Sequence, residues 1–152
     1  LLYGLPQCVI RKLQKVQNSC VRFLFGRKTF KNWERVTPLL QQAHFLPIRQ
    51  RIDYKIALTV FKCMNNIAPK YITKCLKIRD QPLHTLRNDQ DYFLLSVPPV
   101  PTFKRTERSF SYCGPYVWNC LPYELRTLTD VSVFKNRLKT HLFRQAFHDT
   151  YW

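Results

Sequence analysis

Acidic side chains are scarce in this sequence: nine Asp and Glu stand against twenty-five Lys and Arg in 152 residues, a formal net charge of +16. A self-repulsion of that size calls for an anionic partner, and nucleic acid is the commonest one. The chain also has no apolar run near the ~18 residues that a membrane span needs, and no secretory leader opens it. No Cys-x-x-C pair occurs, and no histidine sits at knuckle spacing to two cysteines, which argues against a zinc site. Internal repeats and low-complexity stretches are missing. The first residues are Leu1-Leu2-Tyr3-Gly4 rather than Met, and they read as the interior of a longer polypeptide.

What is present is the makings of a core. Hydrophobic residues are 45% and aromatic residues 14% of the chain, too many for a disordered segment and enough for one domain. The six cysteines (Cys8, Cys20, Cys63, Cys75, Cys113, Cys120) are read as reduced, buried thiols of an intracellular protein, cytoplasmic and nuclear. The four histidines, His44, His84, His141 and His148, have no nucleophile or carboxylate at motif spacing and are read as packing or surface residues. Asp89 and Asp91 are read as turn formers.

The positive charge is unevenly placed. Residues 1–79 hold sixteen basic and two acidic residues (Glu34, Asp53), a net of +14; residues 80–152 hold nine basic and seven acidic, a net of +2. The first part is therefore a basic helical module. From Pro6 to about Phe25, apolar residues recur as Val9, Leu13, Val16, Cys20 and Leu24, which predicts an amphipathic helix with that stripe in the core. Arg11, Lys15, Asn18 and Arg22 lie opposite, and Gly26 ends the helix. Arg27, Lys28 and Lys31 follow around Trp33, a residue equally suited to packing and to stacking on a base. Thr37-Pro38 predicts an N-cap and a short helix to about Ala43.

A longer helix is expected from about Pro47 to Asn65. It is apolar over most of its circumference, as a central bundle helix should be, and Arg51, Lys55 and Lys62 share one strip of about 40°. Pro69 opens another short helix through Leu76. In the second half, residues 78–91 read as loop. Residues 93–97 read as a strand stopped by Pro98-Pro99, with Arg108–Tyr112 as its hairpin partner. Gly114-Pro115 then turns into a short helix bearing a core Trp118 and ended by Leu121-Pro122. Thr129 or Asp130 caps a last helix, from about Val131 to Phe147, with Phe134, Leu138 and Leu142 buried. The expected fold is mainly α, α+β at most: a small helical bundle with one short antiparallel hairpin in residues 80–152, packed on residues 1–79 as one domain.

Several strings together carry a resemblance. They are Leu1-Leu2-Tyr3-Gly4-Leu5-Pro6 with Leu13-Gln14-Lys15-Val16-Gln17-Asn18, then Phe45-Leu46-Pro47-Ile48 with Arg51-Ile52 and Lys55-Ile56, and Ala68-Pro69-Lys70-Tyr71-Ile72. Arg108-Ser109-Phe110-Ser111-Tyr112, Gly114-Pro115, Trp118-Asn119 and Leu121-Pro122 follow, closed by Phe134-Lys135, Leu138-Lys139-Thr140 and Leu142-Phe143. In this order, along nearly the whole chain, they resemble the region after the polymerase domain in LINE-type, non-LTR, jockey-like retrotransposon reverse transcriptases. The resemblance implies a larger polypeptide with an endonuclease and a reverse transcriptase acting by target-primed reverse transcription.

Catalysis is not expected in this stretch. Reverse transcriptases hold two metal ions on clustered carboxylates, typically with a Tyr-x-Asp-Asp turn; this chain has no Asp-Asp pair, and Asp89-x-Asp91 is its only close acidic pair. Too few carboxylates and histidines remain for the endonuclease, and the Cys-Cys-His-Cys knuckle of some relatives is missing. The leading expectation is a non-catalytic accessory domain that binds RNA or DNA through backbone phosphates, using Arg11, Lys15, Arg22, Arg27, Lys28, Lys31, Trp33, Arg51, Lys55 and Lys62. No metal, cofactor, small-molecule substrate or membrane enters this reading; the upstream reverse transcriptase domain is its other partner. The competing expectation is a structural domain that packs on the polymerase thumb and leaves nucleic acid untouched.

Overall fold

The computed structural model describes residues 2–26, 35–79, 93–99 and 108–147; their regular structure is helical, with no strand among them. The helices are α1 (Gln7–Leu24), α2 (Thr37–Gln42), α3 (Ile48–Met64), α4 (Lys70–Thr73), α5 (Phe110–Asn119), α6 (Tyr123–Arg126) and α7 (Val131–Phe147). Four of them, α1, α3, α4 and α6, begin directly after a proline: Pro6, Pro47, Pro69 and Pro122. Proline has a fixed φ and no N–H to satisfy, while its carbonyl still accepts the first helical bond, as Pro47 O does from Arg51 N at 2.9 Å. It offers no capping side chain, so the first N–H groups of these helices must find partners elsewhere. At α7, Asp130 supplies one, its Oδ1 accepting from Val133 N at 2.7 Å. Helices α1, α2 and α3 stop where the backbone turns left-handed, at Gly26 (φ 65°), His44 (φ 51°) and Asn66 (φ 57°).

Helix α3 is the axis of the bundle, touching α1, α4, α5 and α7. The main core joins Ile56, Val60 and Phe61 of α3 to Val117 and Trp118 of α5 and to Phe134, Leu138 and Leu142 of α7. Phe61 stacks on Phe134 with ring centroids 4.0 Å apart, and Trp118 leans on Phe134 at 6.0 Å. A smaller cluster of Val21, Leu40 and Phe147 ties the end of α1 to α2 and to the last turn of α7.

The strand expected over residues 93–97 does not form: Phe93 turns left-handed (φ 64°), and a single bridge at Leu95 stands in its place. Leu95 forms an antiparallel bridge with Ile78, through Arg79 N to Leu94 O (3.1 Å) and Ser96 N to Lys77 O (2.8 Å). On its other side, Asn119 acts as a substitute strand: Oδ1 accepts from Leu95 N at 2.9 Å and Nδ2 donates to Leu95 O at 2.8 Å. The expected hairpin with Arg108–Tyr112 is therefore corrected. Phe110–Tyr112 are the first turn of α5, which runs straight through Gly114-Pro115. Polar–aromatic alternation is a weak signal over five residues, and packing overrides it here. A Cβ on Gly114 would lie 3.3 Å from Leu76 Cδ2 and from Val60 Cγ2, so the glycine serves a close helix–helix approach rather than a turn.

Smaller corrections follow the same logic. Val36, not Thr37, occupies the N-cap of α2, and no side chain caps it. Helix α4 ends at Thr73 rather than Leu76, and Pro122, expected only as a stop, also opens α6, which bears a buried Arg126 whose Nε donates to Leu121 O at 3.2 Å. The cysteines are unpaired, but only Cys63 and Cys113 are buried; Cys8, Cys20, Cys75 and Cys120 are exposed. Burial pushes the Cys63 thiol up and the Cys113 thiol to about 11. The expected turn at Asp89 and Asp91, and His84 and His148, lie outside the described residues.

Two measurements check this packing. Trp118 is 1% exposed, and its Nε1 donates to Phe93 O at 2.7 Å. Trp118→Ala should cost about 3–5 kcal/mol of unfolding free energy in denaturant titration. Titration of the native chain with a thiol reagent should show four fast cysteines, and the thiols of Cys63 and Cys113 only on unfolding.

Candidate nucleic-acid interface

Helix α1 meets the bundle through amides rather than through its apolar stripe. Gln14 Oε1 accepts from Ile48 N at 2.9 Å, capping an open donor at the start of α3, and Gln17 Nε2 donates to Leu46 O at 2.9 Å. Gln14 Nε2 in turn donates to Gln17 Oε1 and to Asn18 Oδ1, both at 2.9 Å, holding the row in register. Ile10 and Val21 flank these glutamines, Val21 fully buried. The expectation that Val9, Leu13, Val16, Cys20 and Leu24 form the buried stripe is corrected. Val16 is 63% and Leu24 64% exposed, Val9 and Cys20 are exposed, and Leu13 is half-buried. Two side-chain hydrogen bonds to the entry of α3 rotate the helix away from its apolar face.

The cations take their places from that rotation. Arg11 and Lys15 are exposed and Arg22 is half-buried, on the flank of α1 turned away from α3. Lys12, outside the Arg11, Lys15 and Arg22 register, is exposed between them and the apolar stripe. On α3, Arg51 and Lys55 are exposed one turn apart and Lys62 is half-buried two turns on. Arg51 and Lys55 line a groove of about 330 Å³ between α1 and α3, floored by Leu13, Ile48, Ile52 and Ile56. The structure thus brings Arg51 and Lys55 together, and it separates them from Arg11 and Lys15 by the exposed apolar stripe. Arg27, Lys28, Lys31 and Trp33 lie outside the described residues.

Three carboxylates occur among the described residues, and each stands elsewhere: Glu124 in the first turn of α6, Asp130 at the cap of α7, and Asp53 on another face of α3. Asp53 lines a second cavity, of about 460 Å³, with Tyr3, Arg49, Tyr116, His141 and Gln145. Burial raises the Asp53 carboxyl above its ordinary value, and Arg49 beside it offsets this in part. Burial, with the Asp53 charge adding to it, pushes the Tyr3 hydroxyl up to about 12. Among the described residues no three His, Cys, Asp or Glu side chains gather as a metal site, and no helix is long and apolar enough to cross a membrane. What the arrangement can do is present fixed positive charge to a polyanion. No family model, curated protein or solved structure matches the chain.

The Asp53 environment makes a pH prediction. A carboxyl whose folded value is raised contributes stability that is present below the unfolded value of 3.8 and lost as pH rises through the folded value. Asp53→Asn, which cannot ionise, should therefore melt at a higher temperature than the wild type at neutral pH. The gap should close as the solution is acidified; a gap independent of pH would contradict the assignment.

Proposed function

We propose that this chain is a non-catalytic accessory domain of a LINE-type, non-LTR retrotransposon RNA-directed DNA polymerase, and that it binds template RNA or target DNA through backbone phosphates. Polymerisation and strand cleavage belong, in this reading, to the upstream domains of the parent polypeptide, which places the protein in cytoplasm and nucleus. The ordered resemblance along the chain supports the family. The observation that carries the binding role is the exposure of Arg51 and Lys55 side by side on α3, with Arg11, Lys12 and Lys15 exposed on α1, in a chain of net charge +16.

The mechanism is electrostatic: each phosphate neutralised releases condensed counterions, so affinity comes from salt entropy and carries weak sequence preference. Arg11, Lys15, Arg22, Arg51, Lys55 and Lys62 are its described contacts, and Arg27, Lys28, Lys31 and Trp33 continue the proposal into residues outside that set. If six phosphates are engaged on duplex DNA, log K should fall with log salt at a slope near −5, about −0.9 per phosphate.

Fluorescence anisotropy of a labelled duplex across a salt series measures that slope. Arg11→Glu with Lys15→Glu, or Arg51→Glu with Lys55→Glu, should each flatten it by about 2. A flat wild-type response, or slopes unchanged in both variants, would contradict the reading and favour a purely structural role on the polymerase thumb.

A further inference from the structure

The turning of α1 leaves an apolar seam in water. Val9, Leu13, Val16, Cys20 and Phe23 follow one another at steps of four, three, four and three, with Leu24 beside the last. This is the spacing at which a helix keeps one line toward a partner helix. Phe23 is 83% exposed, with Val16 and Leu24 close to two-thirds. An unbroken row of this kind is unusual on the surface of a monomer and marks an interaction site. The seam runs into the α1–α3 groove through Leu13, so its floor extends to Ile48, Ile52 and Ile56. Cations border it on both sides: Lys12 and Lys15 across α1, Arg51 and Lys55 across the groove.

We propose that this face docks an amphipathic helix of a partner protein whose apolar seam is flanked by carboxylates. The concave floor between two helices accepts a helix ridge, and the two rows of cations select acidic flanks. From Val9 to Leu24 the seam is about 22 Å long, matching roughly four turns of a partner helix. A second copy of this chain does not fit. It would bring like-charged borders together at +16 per chain, and its described carboxylates, Asp53, Glu124 and Asp130, form no row beside an apolar seam. Nucleic acid does not fit the floor either, because Leu13, Ile48, Ile52 and Ile56 give bases no stacking platform, and Phe23, the one aromatic ring of the seam, stands at its far end. The inference stands on the apolar seam; its borders share Lys12, Lys15, Arg51 and Lys55 with the phosphate-binding reading, but the peptides test it without nucleic acid, so either can fail alone.

The test uses the full chain and three labelled synthetic peptides. One has leucines at heptad positions flanked by glutamates, the second has the same composition scrambled, and the third carries lysines in place of the glutamates. The seam peptide should bind about tenfold or more tighter than the scrambled one, and the lysine peptide should not bind. Val16→Ser with Phe23→Ser should weaken the seam peptide about tenfold or more while leaving helix content and affinity for oligouridylate unchanged. In the wild type, the seam peptide should protect Cys20 from alkylation and leave Cys75 and Cys120 reactive, a readout that needs no variant. Equal binding of seam and scrambled peptides, or unprotected Cys20, overturns the proposal. So does a wild-type dimer in sedimentation that the serine variant dissolves, or binding to phosphatidylserine vesicles in place of the peptide.

Discussion

Two glutamines set the surface chemistry of this protein. Gln14 caps the open N–H of Ile48 and Gln17 donates to Leu46 O, so the rotation of α1 about its own axis follows from where α3 begins. That beginning is itself dictated by Pro47, which starts the helix but brings no side chain to satisfy its first donors. Leaving such a part-buried donor unpaired costs about 1–3 kcal/mol, comparable with burying one more aliphatic side chain. The amide clamp can therefore compete with the hydrophobic stripe for control of the interface. Once it wins, the apolar residues of α1 face water, and its cations line the flank beyond them.

Beneath that surface, α3 supplies the rigidity. Its Phe61 stacks on Phe134, and its Val60 meets the glycine of α5, so the strip of Arg51, Lys55 and Lys62 is carried on the helix that packs against α1, α4, α5 and α7. The flanking segment around Leu95, held by Ile78 on one side and Asn119 on the other, closes the core without building a sheet.

Much of this was legible in the residues. The central helix, its basic strip, the last helix with Phe134, Leu138 and Leu142, its Asp130 cap and the buried Trp118 all follow from 3.6-residue periodicity and proline punctuation, signals that local sequence carries. The exposure of Val9, Val16 and Leu24 did not follow, because periodicity says which side chains share a face and not which face meets the core. The deciding contacts, Gln14 to Ile48 and Gln17 to Leu46, join residues about thirty apart and leave only two glutamines three positions apart as a trace. Phe110–Tyr112 misled for the opposite reason. A short alternating string is compatible with either period, and the close approach of Gly114 to Val60 and Leu76 selects the helix.

The most direct test of the account is a map of contacts at residue level. In nuclear magnetic resonance spectra of the isotopically labelled chain, addition of oligouridylate should shift amide signals along the cationic flank of α1 and around Arg51 and Lys55, leaving the buried faces of α5 and α7 unmoved. Shifts scattered over α5, α6 and α7, or none at all, would contradict the claim that the cations of α1 and of α3 bind phosphate.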